Sequence, residues 1–250
     1  MSLSDLIPPP SILVAILENR RLRAGFRDIY RKYHAYTMIH EAKYVNNLEL
    51  CFEFRKISGC VVECGVWRGG MIAGMVEVLG ADRQYFLFDS FDGLPAARED
   101  LDGASAVAWQ SNTKSPRYYN NCAATQEEAA AVMKLSGATS FSLAKGRFNE
   151  TLPRFAPPCD IAVLRLDGDW YDSTRVCLEN LYPHVALGGI VIVDDYYNWD
   201  GCARAVNEFL ASIASPNAVP RLRQFRDRAA YLIKPRTAQS ETNGSPRDSQ

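Results

Sequence analysis

From Cys60 onward the chain alternates short strand-like runs with helix-like stretches, and two of those runs end in aspartates. Leu164-Arg165-Leu166 leads into Asp167-Gly168-Asp169, and Ile190-Val191-Ile192-Val193 leads into Asp194-Asp195. Strands that alternate with helices build a parallel sheet. In open α/β sheets, ligands gather beyond the carboxyl ends of the strands. Crowded carboxylates repel one another unless a cation or protons intervene, and hard divalent ions such as Mg2+ favour oxygen ligands. The two runs therefore point to a metal site at one end of the sheet of an α/β enzyme.

At 250 residues and 47 % hydrophobic, the chain can build one large α/β core. A formal charge of -1 gives no electrostatic basis for nucleic acid as a partner. The seven cysteines form no CxxC pair and read as reduced, mostly buried thiols. Zinc would need clustered Cys or His. The first ten residues lack the basic start and apolar core of a signal peptide. The apolar run at residues 12–17 is too short to span a bilayer. A cytoplasmic enzyme with no membrane and no nucleic-acid partner is expected.

Residues 11–32 read as an amphipathic helix punctuated by Pro8-Pro9-Pro10, and residues 41–57 as a second helix with Tyr44, Leu48, Cys51, Phe52 and Phe54 as its apolar residues. Strands are expected at 60–64, 85–89, 140–144, 160–166 and 189–193. Helices are expected at 71–79, 126–135, 148–155, 172–182 and 201–213. Residues 222–225 and 229–233 read as a closing hairpin turned at Asp227-Arg228, which adds an antiparallel edge. The polar stretch 90–121, broken by Gly93, Pro95, Gly103 and Pro116, reads as a long loop. Three regions follow: an N-terminal helical cap or lid over 1–58, a sheet domain over 59–235, and a disordered tail over 236–250.

Glu63-x-Gly65-x-x-x-Gly69-Gly70 follows the first strand and opens a helix. Glycines there let backbone approach a ligand closely. The spacing is not the G-x-G-x-x-G of a dinucleotide site, and a plain βα turn would use the same residues. Asp89, however, ends the next strand about 25 residues later, where a ribose-binding acid is expected. Together they favour a nucleoside-type cofactor.

Five blocks resemble the macrocin O-methyltransferase family. They are Val62-Glu63-Cys64-Gly65-Val66-Trp67-Arg68-Gly69-Gly70, Phe88-Asp89-Ser90-Phe91-Asp92-Gly93-Leu94-Pro95, Gly146-Arg147-Phe148-Asn149-Glu150-Thr151-Leu152-Pro153, Arg165-Leu166-Asp167-Gly168-Asp169-Trp170-Tyr171-Asp172-Ser173-Thr174 and Val193-Asp194-Asp195-Tyr196. The resemblance implies a Rossmann-like class I methyltransferase with a mostly parallel seven-stranded sheet, an antiparallel edge hairpin and N-terminal helices. It implies S-adenosyl-L-methionine and Mg2+ as cofactors and a sugar or glycoside as the acceptor. By that resemblance Glu63, Gly65, Trp67, Arg68, Gly69 and Gly70 approach the methionine end of the cofactor, and Asp89 takes the ribose. Ser90 and Phe91 flank the adenosine, Gly146 and Phe148 meet the adenine, and Thr37-Met38 closes over the cofactor. Asp167, Asp194 and Asp195 match the metal ligands, and Asp169 matches the general base. Some relatives place a His near this base, whereas position 170 here is Trp. A homo-oligomer is expected from the fold alone.

A sugar hydroxyl is far too weak an acid for a free aspartate near pKa ~4 to deprotonate. A divalent ion lowers the pKa of a coordinated hydroxyl, so Asp169 has only to receive the proton. Bland roles compete: Asp167 or Asp169 could cap the following helix, and Asp194-Asp195 could be loop solvation. His34, His40 and His184 are unpaired in sequence and read as structural or surface residues. Trp109, Tyr118, Tyr119, Tyr196, Tyr197 and Trp199 are candidates for a sugar pocket or for ordinary packing. Asp167-Gly168-Asp169 also fits the DxD pattern of a metal-dependent nucleotide-sugar glycosyltransferase, and a non-catalytic cofactor-binding protein is a further alternative.

Overall fold

The computed structural model describes residues 10–226 and 228–236, with side chains from Glu18 onward. The expected tail from Thr237 lies outside the described residues, as do residues 1–9 and Asp227. The elements are α1 (Pro10–Tyr33), α2 (Glu41–Phe54), β1 (Cys60–Cys64), α3 (Gly70–Leu79), β2 (Gln84–Asp89), α4 (Glu99–Ser111), α5 (Tyr119–Cys122), α6 (Gln126–Leu135), β3 (Ser140–Lys145), α7 (Phe148–Thr151), β4 (Ile161–Leu166), α8 (Tyr171–Leu181), β5 (Val185–Val193), α9 (Asp200–Ser212), β6 (Arg223–Phe225) and β7 (Ala229–Ile233). The strands form one sheet in the order β3-β2-β1-β4-β5-β7-β6. The first five are parallel, and β7 runs antiparallel to both β5 and β6.

β1 and β4 are wholly buried, as continuous apolar runs in a parallel sheet should be. Side chains alternate between two cores. Val61, Leu87, Val163 and Ile192 face α1, α2, α3 and α6, while Val62, Leu164, Val191 and Leu232 face α8 and α9. α1 and α2 share the first core with α3 and the sheet through Phe26, Tyr44, Leu48 and Met75. The division of sequence at residue 59 therefore falls between elements that pack on one another. α2 buries every residue from Tyr44 to Cys51, including Asn46, Asn47 and Glu49. It is enclosed on all sides rather than striped.

The stretch expected to be a loop at 90–121 contains α4, which is broken at Gly103 (φ 81°, ψ 163°). Its first turn is acidic and its apolar content low, so hydrophobic periodicity gives no sign of it. Packing against α9 holds it, with Asp102 buried beside Gly201. α5 is a single turn wound left-handed, with φ between 49° and 61° from Tyr119 to Cys122.

Register brings the strand ends to one edge. Cys64 pairs with Phe88 on one side and Leu166 on the other, and Leu166 pairs with Val193. The ladder continues one residue further, with Gly65 N–H donating to Phe88 O, Asp167 N–H to Cys64 O and Asp194 N–H to Leu166 O at 2.8–2.9 Å. Strand order reverses between β1 and β4, the crevice where ligands bind in such sheets.

Candidate active site

A cavity of about 550 Å³ opens at this reversal point, a size typical of small-molecule sites. Gly65, Trp67, Asp89, Ser90, Gly146, Phe148 and Met38 border it, and so do Asp167 and Asp169. The structure thus gathers residues from four of the five sequence blocks, together with Met38. Glu63, Arg68, Gly69, Gly70, Phe91 and Thr37 stand behind the lining. Gly70 packs against the Tyr36 carbonyl and the Thr37 amide. Arg68 pairs with Glu128 and lies over the Trp67 ring.

Gly65 holds φ +87°, and a Cβ there would overlap the carbonyl oxygen of Asp167. The turn after β1 and the turn after β4 therefore touch backbone to backbone. Asp89 fastens the first turn, since its Oδ2 accepts from the Val66 and Trp67 amides at 2.8 Å and its Oδ1 from Phe91 at 2.7 Å. Burial raises its carboxyl, and those three amides work against the rise.

Asp167, Asp194 and Asp195 each offer a carboxylate oxygen, all within 4.8 Å of one another. Arg165 organises them from below the sheet edge. It is fully buried, and its Nη1 donates to Glu63 Oε1 at 2.8 Å and to Asp167 Oδ2 at 3.0 Å. Its Nη2 lies 2.6 Å from Asp194 Oδ1, although neither atom has an aligned hydrogen-bond partner. The two groups therefore meet as an ion pair without the alignment of a hydrogen bond. Lys43 Nζ reaches Asp194 Oδ2 at 2.5 Å.

Burial alone would raise the Asp194 carboxyl, but Arg165 and Lys43 together hold it below the usual carboxylate range. The neighbouring acids go the other way. Burial, joined by the Asp167 charge, pushes Asp169 up to about 7. Burial, with the Asp169 and Asp167 charges, lifts Asp195 well above its ordinary value. Burial likewise pushes Glu63 up to about 8 against the pull of Arg165. Among the described residues, five carboxylates thus face two cations, Arg165 and Lys43. Such a set of hard oxygen donors with surplus negative charge suits a divalent cation.

Asp169 stands beside this group in a left-handed conformation, φ 56°. Its amide donates to Asp195 Oδ2 at 3.2 Å, and its Oδ1 accepts from Trp199 Nε1 at 2.8 Å. Trp109, Trp170 and Trp199 pack edge to face with centroids 5.1–6.2 Å apart, and Tyr118 lies against Trp109. None of the six aromatics singled out in sequence borders the cavity itself; Trp199 bonds Asp169 instead, Trp109 packs on Trp199, and Tyr118 on Trp109.

Sequence reasoning passed over Lys43, Cys122, Asp172, Ser173 and Val176. The last four border the cavity. Two faint signals existed. A lysine in a first helical turn opposes the helix dipole, and Asn120-Asn121 is the pair most tolerant of left-handed backbone.

This strand order, with an antiparallel seventh strand, a glycine turn after β1 and an acid ending β2, defines a Rossmann-like methyltransferase. The chain belongs to the macrocin-O-methyltransferase (TylF) family, whose model matches residues 15–219, and is an S-adenosylmethionine-dependent O-methyltransferase. It is 37 % identical to the demethyldecarbamoylnovobiocin O-methyltransferase of Streptomyces niveus over 71 % of this chain and 69 % of that one. It is 36 % identical to the 8-demethyl-8-(2,3-dimethoxy-alpha-L-rhamnosyl)-tetracenomycin-C 4'-O-methyltransferase of Streptomyces olivaceus, over 70 % and 67 %. Among solved structures, the O-methyltransferase NovP superposes with a TM-score of 0.64 at 32 % identity, covering 80 % of this chain and 83 % of that one. The calicheamicin methyltransferase CalS11 shares the fold, with a TM-score of 0.57 at 21 % identity over 84 % and 91 %. Neither the glycosyltransferase nor the non-catalytic alternative is favoured by this membership. Among the described residues, no helix is long and apolar enough to cross a membrane.

Proposed function

We propose that this chain transfers the methyl group of S-adenosylmethionine to a sugar hydroxyl of a glycoside or nucleotide-linked sugar, with Mg2+ held by Asp167, Asp194 and Asp195. The convergence of those three carboxylates beside Asp169, with Asp167 and Asp169 bordering the cavity that Gly65 and Asp89 also line, carries the proposal. By its name, the Streptomyces olivaceus relative methylates a rhamnosyl-bearing tetracenomycin, which supports a glycoside acceptor.

Bound together, the cofactor would supply an electrophilic methyl group and the cation would acidify a coordinated hydroxyl. Asp169 receives the hydroxyl proton at Oδ2, because Trp199 already occupies Oδ1. Arg165 helps keep Asp194 ionised and holds Asp167 and Asp194 aimed at one point. Asp89 accepts the ribose hydroxyls while its amide partners fix the turn, with Ser90 and Phe91 beside the adenosine. Glu63, Gly65, Trp67, Arg68, Gly69 and Gly70 form and back the turn at the methionine end. Gly146 and Phe148 take the adenine, and Thr37-Met38 closes the near wall. The tryptophan group exclude water around the base, which strengthens each electrostatic contact there. The helices α1 and α2 act as a cap over the site, and the chain works as a homo-oligomer.

Calorimetric titration of S-adenosylhomocysteine with and without Mg2+, followed by labelled methyl transfer to a panel of glycosides and nucleotide sugars, tests this function. Micromolar binding and Mg2+-dependent label transfer to a sugar are expected. Binding with full transfer in excess chelator would remove the metal.

A further inference from the structure

Asp194 enters the acidic group with both oxygens already taken by cations. Arg165 holds Oδ1 at 2.6 Å and Lys43 holds Oδ2 at 2.5 Å. A divalent ion joining Asp194 alongside Asp167 and Asp195 would repel both cations, and the less firmly anchored of the two is the one to move. Arg165 is fixed: it is fully buried and tied to Glu63, Asp167 and Asn47. Lys43 is not. Its side chain retains 13 % exposure, and it carries a strongly hydrated ammonium on a flexible stem. It also lies in the first turn of α2, where the helix dipole opposes a positive charge.

We propose that Lys43 is a built-in competitor for the metal: its ammonium holds Asp194 Oδ2 in the metal-free protein and swings outward when a divalent cation joins Asp167, Asp194 and Asp195. This rests on the metal role given above to those three aspartates. Lys43 thereby keeps the buried acids tolerable without metal and sets how tightly metal is held. Arg165 alone would leave Asp195 and Asp169 without any nearby cation of their own. Lys43 is close enough to act on Asp195 and Asp167 as well as on Asp194.

Electron paramagnetic resonance titration with Mn2+ tests the competition in the substrate-free protein. Lys43→Gln should bind Mn2+ at least about tenfold more tightly than wild type, because a unit charge ~4 Å away acts strongly even at protein-surface screening. Lys43→Arg, which keeps the charge, should bind as wild type does. Equal or weaker binding by Lys43→Gln overturns the proposal. A second measurement needs no variant: reductive methylation with formaldehyde and cyanoborohydride, read by peptide mass spectrometry. Saturating Mg2+ should speed labelling of Lys43, and unchanged or slower labelling overturns the proposal even if a variant fails to fold. If neither wild type nor Lys43→Gln binds Mn2+, the metal role of the aspartates fails and the competitor falls with it. If wild type binds and the variant does not tighten, only the competitor is lost.

Discussion

The indole N–H of Trp199 donates to Asp169 Oδ1 at 2.8 Å, from the loop after β5 to the loop after β4. Asp169 sits at φ 56°, a conformation that costs a non-glycine residue roughly 1–2 kcal/mol. The Asp169 amide is held by Asp195 as well. Two bonds thus fix a strained carboxylate in one pose, and Oδ2 has no donor among the described residues.

If Asp169 receives the proton, Asp169→Asn should lower kcat by about 10²–10⁴, the usual contribution of a positioned acid or base. Trp199→Phe keeps the ring contacts and removes only the donor, so kcat should fall about tenfold, roughly what a lost hydrogen bond to a charged group costs. The double variant should be no slower than Asp169→Asn alone. Single-turnover methyl transfer to the acceptor found by screening checks all three. Additive losses would mean that Trp199 acts on something other than Asp169.

Metal affinity should depend on pH with a definite sign. The Asp169 carboxyl is raised to about 7, and Asp195 is raised too. A raised carboxyl keeps its proton below its folded pKa, and a cation beside it must expel that proton. Mn2+ affinity should therefore weaken as pH falls below about 7, roughly tenfold per pH unit for each proton released. The metal-free protein shows the mirror effect. Stability from protonated Asp169 is present below the ordinary carboxylate pKa and is lost as pH rises towards 7. Calorimetry in two buffers of different ionisation enthalpy counts the protons, and affinity that holds constant from pH 8 to pH 5 would contradict the assignment.

The strands and their aspartates were legible because both signals are local. A run such as Ile190-Val191-Ile192-Val193 is a buried parallel strand wherever it lands, and the residue after it must lie at the sheet edge. The seven strands and the order of layers follow from that alternation. α4 was not legible, because Glu99 to Ser111 is held by contact with α9 rather than by its own periodicity. Lys43, and the bond that ties Trp199 to Asp169, were illegible for the same reason. Each gains its meaning from a partner more than 25 residues away, Asp194 and Asp169, and no spacing rule links them. The sequence marks Tyr44, Leu48, Cys51, Phe52 and Phe54 as the apolar residues of α2, yet the polar Asn46, Asn47 and Glu49 are buried too, against partners that only the fold supplies, Glu49 between Arg23 and Arg226.

Arg165→Met should be among the most damaging substitutions outside the cavity. It would leave Glu63 and Asp194 buried with much of their neutralisation removed. Removing one partner of a buried pair typically costs about 3–5 kcal/mol. Glu63 is already raised to about 8, so it would meet the loss by taking up a proton. Urea unfolding should show the full deficit at pH 8, partly recovered at pH 6. A loss below about 1 kcal/mol would mean that water reaches the pair and screens it.

Gly65→Ala tests whether the cofactor turn and the metal turn are one unit. The added Cβ would meet the Asp167 carbonyl, which is backbone and cannot rotate away, at a φ of +87°. Gly80→Ala is the control, because Gly80 also has positive φ, +105°, but nothing lies within 4 Å of its Cβ. Both variants bear the conformational penalty of roughly 1–2 kcal/mol, so each should lower Tm by a few degrees in a chain of this length. Only Gly65→Ala moves Asp167. It should weaken S-adenosylhomocysteine and Mn2+ binding together, each by about tenfold or more, because an ångström-scale displacement of a ligand is enough to disrupt a preorganised site. Gly80→Ala should leave both affinities unchanged. Loss of S-adenosylhomocysteine affinity with intact Mn2+ binding would show that the β1 turn yields while the β4 turn stays in place, and the two sites would then be mechanically separate.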